Sequence, residues 1–184
     1  MRVRRAVGIG AVGLVGLLLA VPVLAIVLAL VLVPLTWTGV THLYRAPSAV
    51  MESTLLGRDR IFAVEYVFSR PGRGDIVAFH RPPRVPGLCG SGDVVIKRVI
   101  GLPGETVREH EGVVSIDGKP LGEPYLHGER RGTGNFTVDV PAGRYFVMAD
   151  NRAGDPCVWR PIPRANIIGR VIATYWPPSR IALH

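Results

Sequence analysis

The sequence predicts a mainly β domain that follows one N-terminal transmembrane helix. Three observations support this prediction. The chain of 184 residues has no charged residue between Ala6 and Leu35. Beyond this segment, short β-branched and aromatic runs alternate with Gly, Pro and Asp turns. No stretch outside the apolar segment has a helical period, so we expect an antiparallel sheet that is coiled or closed into a barrel.

The apolar segment is long enough to cross a bilayer. Its 30 uncharged positions exceed the roughly 20 residues that a spanning helix needs. A cleaved secretion signal is the alternative, but its apolar core would be only about 7–15 residues long. We therefore predict a basic N-terminus over 1–5, an uncleaved anchor over 6–36 and a β domain over 37–184. The arginines before the anchor favour a cytoplasmic N-terminus and an extracytoplasmic domain on a plasma membrane.

Seven segments of the outer part have the composition of strands. They are residues 60–68, 75–79, 93–102, 106–118, 135–140, 144–150 and 166–176. The Asp117-Gly118 pair predicts a tight hairpin within the fourth segment.

Charge and cysteine content exclude some functions. The net charge is +8, but the basic residues are scattered among acidic ones. An anionic membrane explains such a surface more simply than nucleic acid does, because no stacking aromatics or basic helix accompany the charge. Cys89 and Cys157 would lie in an oxidising compartment, where they could form a disulfide. The sequence does not say whether they meet, and nothing around them has metal-ligand spacing.

Lys97 is the first candidate for chemistry. In a strand it shares a face with Val95 and Val99, where burial would lower its pKa and favour a neutral amine that can act as a general base. Arginine would stay protonated, and 20 of the 22 basic residues of this chain are arginine. The alternative is an edge lysine in water, and Arg98 has equally apolar same-face neighbours.

Five blocks of the outer part, in order, resemble the type I signal peptidases. They are APSAVMESTLLGRDRI (46–61), RGDIVAF (73–79), IKRVIGLPGETV (96–107), GVVSIDGKPLGEPYL (112–126) and VPAGRYFVMADNR (140–152). The resemblance implies a coiled β domain beside the membrane that removes signal peptides from exported proteins with a Ser/Lys dyad. It implies Lys97 as the general base, an apolar substrate surface near lipid, and neither a metal nor an organic cofactor.

The sequence departs from the family where the nucleophile should stand. That position is Val50, whose methyl groups offer no attacking atom. Ser48 aligns with the serine that helps to hold the oxyanion. If the stretch is extended, Ser48 could replace the nucleophile only by a two-residue slide of the segment. Ser53 would face the other way, as a turn or surface residue.

The resemblance also implies roles for other residues. Met51 should border the substrate groove, or else pack in the core. Asp150, Asn151 and Arg152 should be structural, with Asp150 paired to an arginine near the active region. The segment that follows lacks the family's Ser-x-Asp-Ser-Arg run, which includes a serine that hydrogen-bonds the lysine, and no equivalent can be placed here.

Three functions follow from these observations. Under the first hypothesis, the chain is a membrane-anchored signal peptidase-like protein with impaired cleavage, which acts through Ser48 or a rearrangement. Alternatively, it is a silent homologue that binds signal peptides or a partner peptidase. The third hypothesis is a basic structural module. The lipid bilayer is a partner in the first two, and no nucleic acid is expected.

Overall fold

The computed structural model describes residues 20–31, 40–46, 49–81, 93–126, 134–153, 155 and 160–184. The chain divides into two compact units, Met1–Val40 and Thr41–His184. In the first unit, residues 20–31 form an α-helix. Within the described ranges, no helix is both long and apolar enough to cross a bilayer. The remaining positions of the predicted anchor, 6–19 and 32–36, lie outside the described residues.

The second unit is built from short strands, as the sequence predicts. The strands are β1 (Thr41–Arg45), β2 (Arg60–Val64), β3 (Ile76–His80), β4 (Val94–Gly101), β5 (Thr106–His110), β6 (Val113–Ile116), β7 (Lys119–Pro120), β8 (Asn135–Asp139), β9 (Arg144–Met148), β10 (Ile162–Pro163), β11 (Ile167–Trp176) and β12 (Ala182–Leu183). The described residues include 3-10 turns at Ala49–Met51, Arg164–Asn166 and Pro178–Arg180.

The described strands form two antiparallel sheets. The larger has eight strands in the order β1-β2-β11-β3-β4-β9-β10, with β12 paired to β11. The smaller has four strands in the order β7-β6-β5-β8. The predicted antiparallel β class is therefore confirmed. Strands β1, β7, β10 and β12 were not predicted, and the last three have only two residues each, too few to show a strand pattern.

Both predicted and unpredicted tight turns shape the smaller sheet. Asp117 and Gly118 have φ angles of 50° and 78° between β6 and β7. Two consecutive positive φ angles match the twist of a two-residue hairpin, so the predicted turn is confirmed. Glu111 and Gly112 have φ angles of 48° and 77°. They divide the predicted segment 106–118 into β5 and β6.

Strand β4 is central to the larger sheet because it pairs with β3 on one side and with β9 on the other. Lys97 lies opposite Val77 of β3, and Arg98 lies opposite Ile76 of β3 and Met148 of β9. The apolar neighbours of β4 belong to separate core clusters. Val95 and Val99 pack with Val77, Phe79 and Val147, among others.

The other face of β4 meets a different cluster. Ile96 packs there with Met51, Leu55 and Ile76. Because successive side chains of a strand point to opposite faces, the two neighbouring cations of β4 are directed into two different environments.

Candidate functional site

Lys97 is buried in the domain. Its side chain is 1% exposed, and its Nζ donates a hydrogen bond of 2.8 Å to Oδ2 of Asp155. The Asp155 side chain is also 1% exposed. The sequence therefore predicted correctly that Lys97 lies on an apolar face. It gave no indication of a carboxylate partner for the amine.

Two opposing effects set the protonation of Lys97. Burial lowers the pKa of the ammonium group, because a charge loses its hydration in the interior. The carboxylate of Asp155 opposes that lowering of the pKa, through both its charge and its hydrogen bond, and Asp150 contributes in the same sense. A general base must accept a proton, so the carboxylates act against the state that catalysis needs.

Val50 lies in the 3-10 turn Ala49–Met51 rather than in an extended segment. The extended geometry assumed for this stretch is therefore wrong at residues 49–51. The backbone N–H of Asn151 donates to the carbonyl of Val50 at 2.9 Å, which ties the turn to the segment that carries Asp155. Ser48 lies outside the described residues, so its role as an oxyanion donor or displaced nucleophile stays a prediction.

The residues after Val50 fix the register of this turn. The backbone N–H groups of Thr54 and Leu55 donate to the carbonyl of Met51 at 3.0 and 2.8 Å. Met51 is 2% exposed and Leu55 is fully buried. A slide of two residues would withdraw both side chains from the core, at about 1.5–3 kcal/mol for each. The packing thus opposes the movement that would bring Ser48 into the place of Val50.

Met51 and Ser53 each have a clear structural environment. Met51 packs within the apolar cluster of Leu55 and Ile96, which corresponds to the core alternative, and a place at the border of a groove remains a prediction. Ser53 has a φ angle of 108° and donates its hydroxyl to the carbonyl of Tyr125 at 2.9 Å. A serine hydroxyl engaged in this way has a structural role, as expected.

Arg98 and Asp150 form the predicted arginine–carboxylate pair. The guanidinium contacts both carboxylate oxygens, with Nε to Oδ1 at 2.8 Å and Nη2 to Oδ2 at 2.6 Å. It also donates to the carbonyl of Gly74 at 2.8 Å and lies 4.0 Å from the ring centre of Tyr125. Thr54 donates its hydroxyl to Asp150 at 2.6 Å. These contacts anchor the turn of Val50 to β4.

Arg152 forms a second buried pair. Its guanidinium donates two hydrogen bonds to the carboxylate of Glu123, one of them at 2.9 Å. Glu123 also accepts from the hydroxyl of Tyr125 at 2.6 Å. The structural role of residues 150–152 stays a prediction, with which this pair and the backbone contact of Asn151 are consistent.

Sequence reasoning missed Asp155, Glu123, Thr54 and Tyr125. Only Asp155 had a detectable signal, as an acidic residue in the segment where the family places a hydroxyl partner for the lysine. Across the described part of the chain, no group of three or more His, Cys, Asp or Glu side chains could hold a metal ion. The predicted disulfide falls on Cys89 and Cys157, which both lie outside the described residues.

Comparison with known proteins shows the family of this chain. The model of the family described as signal peptidase, peptidase S26, matches residues 19–176. The chain belongs to the signal peptidase family. It is 43% identical over 140 residues to the protein named "Probable signal peptidase I-1" of Synechocystis sp., covering 73% of this chain and 70% of the relative. It is 40% identical over 140 residues to the signal peptidase I of Leptolyngbya laminosa, covering 73% and 68%.

A solved structure is also similar. The crystal structure of a signal peptidase I from Enterococcus faecalis aligns with a TM-score of 0.45 and 32% identity. The alignment covers 55% of this chain and 97% of that one.

Proposed function

We propose that this protein is a membrane-anchored signal peptidase-like protein that binds the signal peptides of exported preproteins and whose cleavage is impaired so far that it releases no product. The observation that carries the proposal is Val50 at the position of the family's nucleophile. A valine side chain has no oxygen or sulfur to attack a carbonyl carbon, so no acyl-enzyme forms at this position.

The geometry around Val50 supports this reading. The Asn151 contact and the buried Met51 and Leu55 hold the turn in one register. The contacts that position the turn of Val50 are therefore in place, although the turn lacks a nucleophile. An intact scaffold favours retained binding over a wholly unrelated role.

The anchor is proposed over residues 6–36. Arg2, Arg4 and Arg5 precede it, and they favour a cytoplasmic N-terminus with the β domain on the far side of a plasma membrane. The described helix, residues 20–31, exposes apolar side chains all around, including Val21, Leu24 and Leu28. A helix that is apolar on every side is typical of a membrane span.

The test uses the full chain in detergent micelles with a fluorescent preprotein. We expect saturable binding and no cleaved signal peptide by mass spectrometry. Robust cleavage by the wild type that disappears in Ser48→Ala would overturn the impairment. Activity that survives both Ser48→Ala and Lys97→Ala would exclude a Ser/Lys dyad altogether.

Binding is tested separately. A stable complex with an active signal peptidase, but no affinity for signal peptides, would favour a role as its partner. Binding to polyanions with a steep salt dependence, and to no signal peptide, would favour the basic structural module.

A further inference from the structure

The partner of the candidate general base is itself informative. Lys97 and Asp155 are among the least exposed ionisable side chains described, each at 1%, and 2.8 Å separates Nζ from Oδ2. A lone buried ammonium or carboxylate would be costly, and the two charges offset each other's loss of hydration. The charge of Asp155 and its hydrogen bond favour the protonated amine, against the burial that disfavours it.

The chain positions Asp155 by several contacts of the segment before it. Asp150 is held by Arg98, and the backbone of Asn151 is held by Val50. Arg152 is held by Glu123, and the N–H of Asp155 donates to the carbonyl of Arg152 at 3.2 Å, closing a turn. The carboxylate of Asp155 thus reaches Lys97 just after three residues, 150–152, that are each held by a contact.

We propose that Asp155 is a positioning residue that keeps Lys97 as an ammonium ion and so withholds its lone pair from any hydroxyl. This proposal rests on the proposed function, because it explains a second cause of the same impairment. A protonated amine accepts no proton from an attacking serine. The chain therefore has two independent blocks to catalysis, one at Val50 and one at Asp155.

The first experiment compares cleavage by four forms of the full chain: wild type, Val50→Ser, Asp155→Ser and Val50→Ser/Asp155→Ser. We expect the double variant to cleave a signal-peptide substrate at least about tenfold faster than Val50→Ser, which corresponds to about one unit of lysine pKa. Asp155→Ser alone stays inactive. Val50→Ser/Asp93→Ser is the matched control, because Asp93 is an exposed carboxylate.

The outcomes separate the two proposals. If Val50→Ser cleaves as fast as the double variant, the role of Asp155 is refuted and the impairment at Val50 stands. If the wild type cleaves, the proposed function fails, whatever Asp155 does.

The second experiment observes the amine directly and needs no activity. The chain has only two lysines, Lys97 and Lys119, and Lys119 is exposed, so ¹⁵N-lysine labelling gives two side-chain signals with an internal reference. We expect Lys97 to be protonated at pH 7 in the wild type. In the near-isosteric variant Asp155→Asn, its apparent pKa should fall by more than about one unit, while that of Lys119 does not move.

Two results of the labelling experiment contradict the proposal. A neutral Lys97 amine at pH 7 in the wild type would contradict it. This result needs no variant, so it remains available if the substitutions prevent folding. An identical titration of Lys97 in wild type and in Asp155→Asn would do so as well.

Discussion

Lys97 and Arg98 are neighbours on β4, and each pairs with a buried carboxylate from residues 150–155, yet the two pairs differ in kind. Arg98 contacts Asp150 through two parallel hydrogen bonds and also reaches Gly74, Thr54 and Tyr125. An arginine stays protonated and its planar fork fixes geometry. Lysine can lose its proton, so the contact with Asp155 determines whether the Lys97 amine is neutral and able to act as a base.

Strand β4 carries two cations that play different parts. Arg98 and Lys97 lie on opposite faces of β4, and one is always charged while the other can titrate. Asp150 and Asp155, five positions apart, supply the two carboxylates. The Arg98 pair can therefore keep the scaffold ordered, whatever the protonation state of the Lys97 pair.

The largest effect is expected from breaking the arginine pair. Asp150→Ala leaves the Arg98 guanidinium, with a side chain only 11% exposed, without its carboxylate. We expect the free energy of unfolding to fall by about 3–5 kcal/mol, as for other buried pairs that lose one partner. Chemical denaturation measures it, with Asp93→Ala as the control, for which about 0.5 kcal/mol or less is expected. A loss as small as that of the control would show that Arg98 has no structural role.

Replacing each pair by apolar residues sharpens the contrast. Lys97→Met/Asp155→Leu should leave the free energy of unfolding nearly unchanged or raise it, because both buried charges disappear together. Arg98→Met/Asp150→Leu should lower it by about 2 kcal/mol, since Gly74 and Thr54 lose a charged donor. Equal losses in the two double variants would remove the distinction between the pairs.

The smallest effect is a pH dependence specific to the lysine pair. Burial places the folded-state pKa of Lys97 below its ordinary value of 10.5. Between these two values the unfolded chain binds more protons, so the free energy of unfolding rises with pH. We expect Asp155→Asn to lower the folded-state pKa of Lys97 further. Each unit of that change should reduce the free energy of unfolding by about 1.4 kcal/mol.

The sign of this dependence gives the test. The deficit of Asp155→Asn relative to wild type should be largest near neutral pH and should shrink as the pH rises through the folded pKa of wild-type Lys97. Denaturation at several pH values measures it, and Asp93→Asn should show a constant difference. A deficit for Asp155→Asn that does not vary with pH would indicate that Lys97 is not the group affected.

The strands and the hairpin were predictable because they depend on local composition. A run of β-branched residues predicted β4, and Asp117-Gly118 predicted the turn before β7. Val95 and Val99 suggested the burial of Lys97 but did not decide it, because the same-face neighbours of Arg98 are equally apolar. Its partner was not, because Asp155 lies 58 positions further along the chain and only the tertiary fold brings the two together.

The conformation around Val50 was also beyond the sequence. The 3-10 turn Ala49–Met51 depends on backbone contacts with Asn151, which local pattern does not encode. The resemblance located the missing nucleophile. It did not indicate that the lysine has a carboxylate beside it.

The most direct test of the central claim is a search for turnover by the unmodified chain. The purified full-length protein is incubated with a preprotein for many hours, and the products are identified by mass spectrometry, with Lys97→Ala in parallel. We expect intact preprotein in both samples, because Val50 supplies no nucleophile and Asp155 holds the amine protonated. A released signal peptide with the wild type, absent with Lys97→Ala, would contradict it.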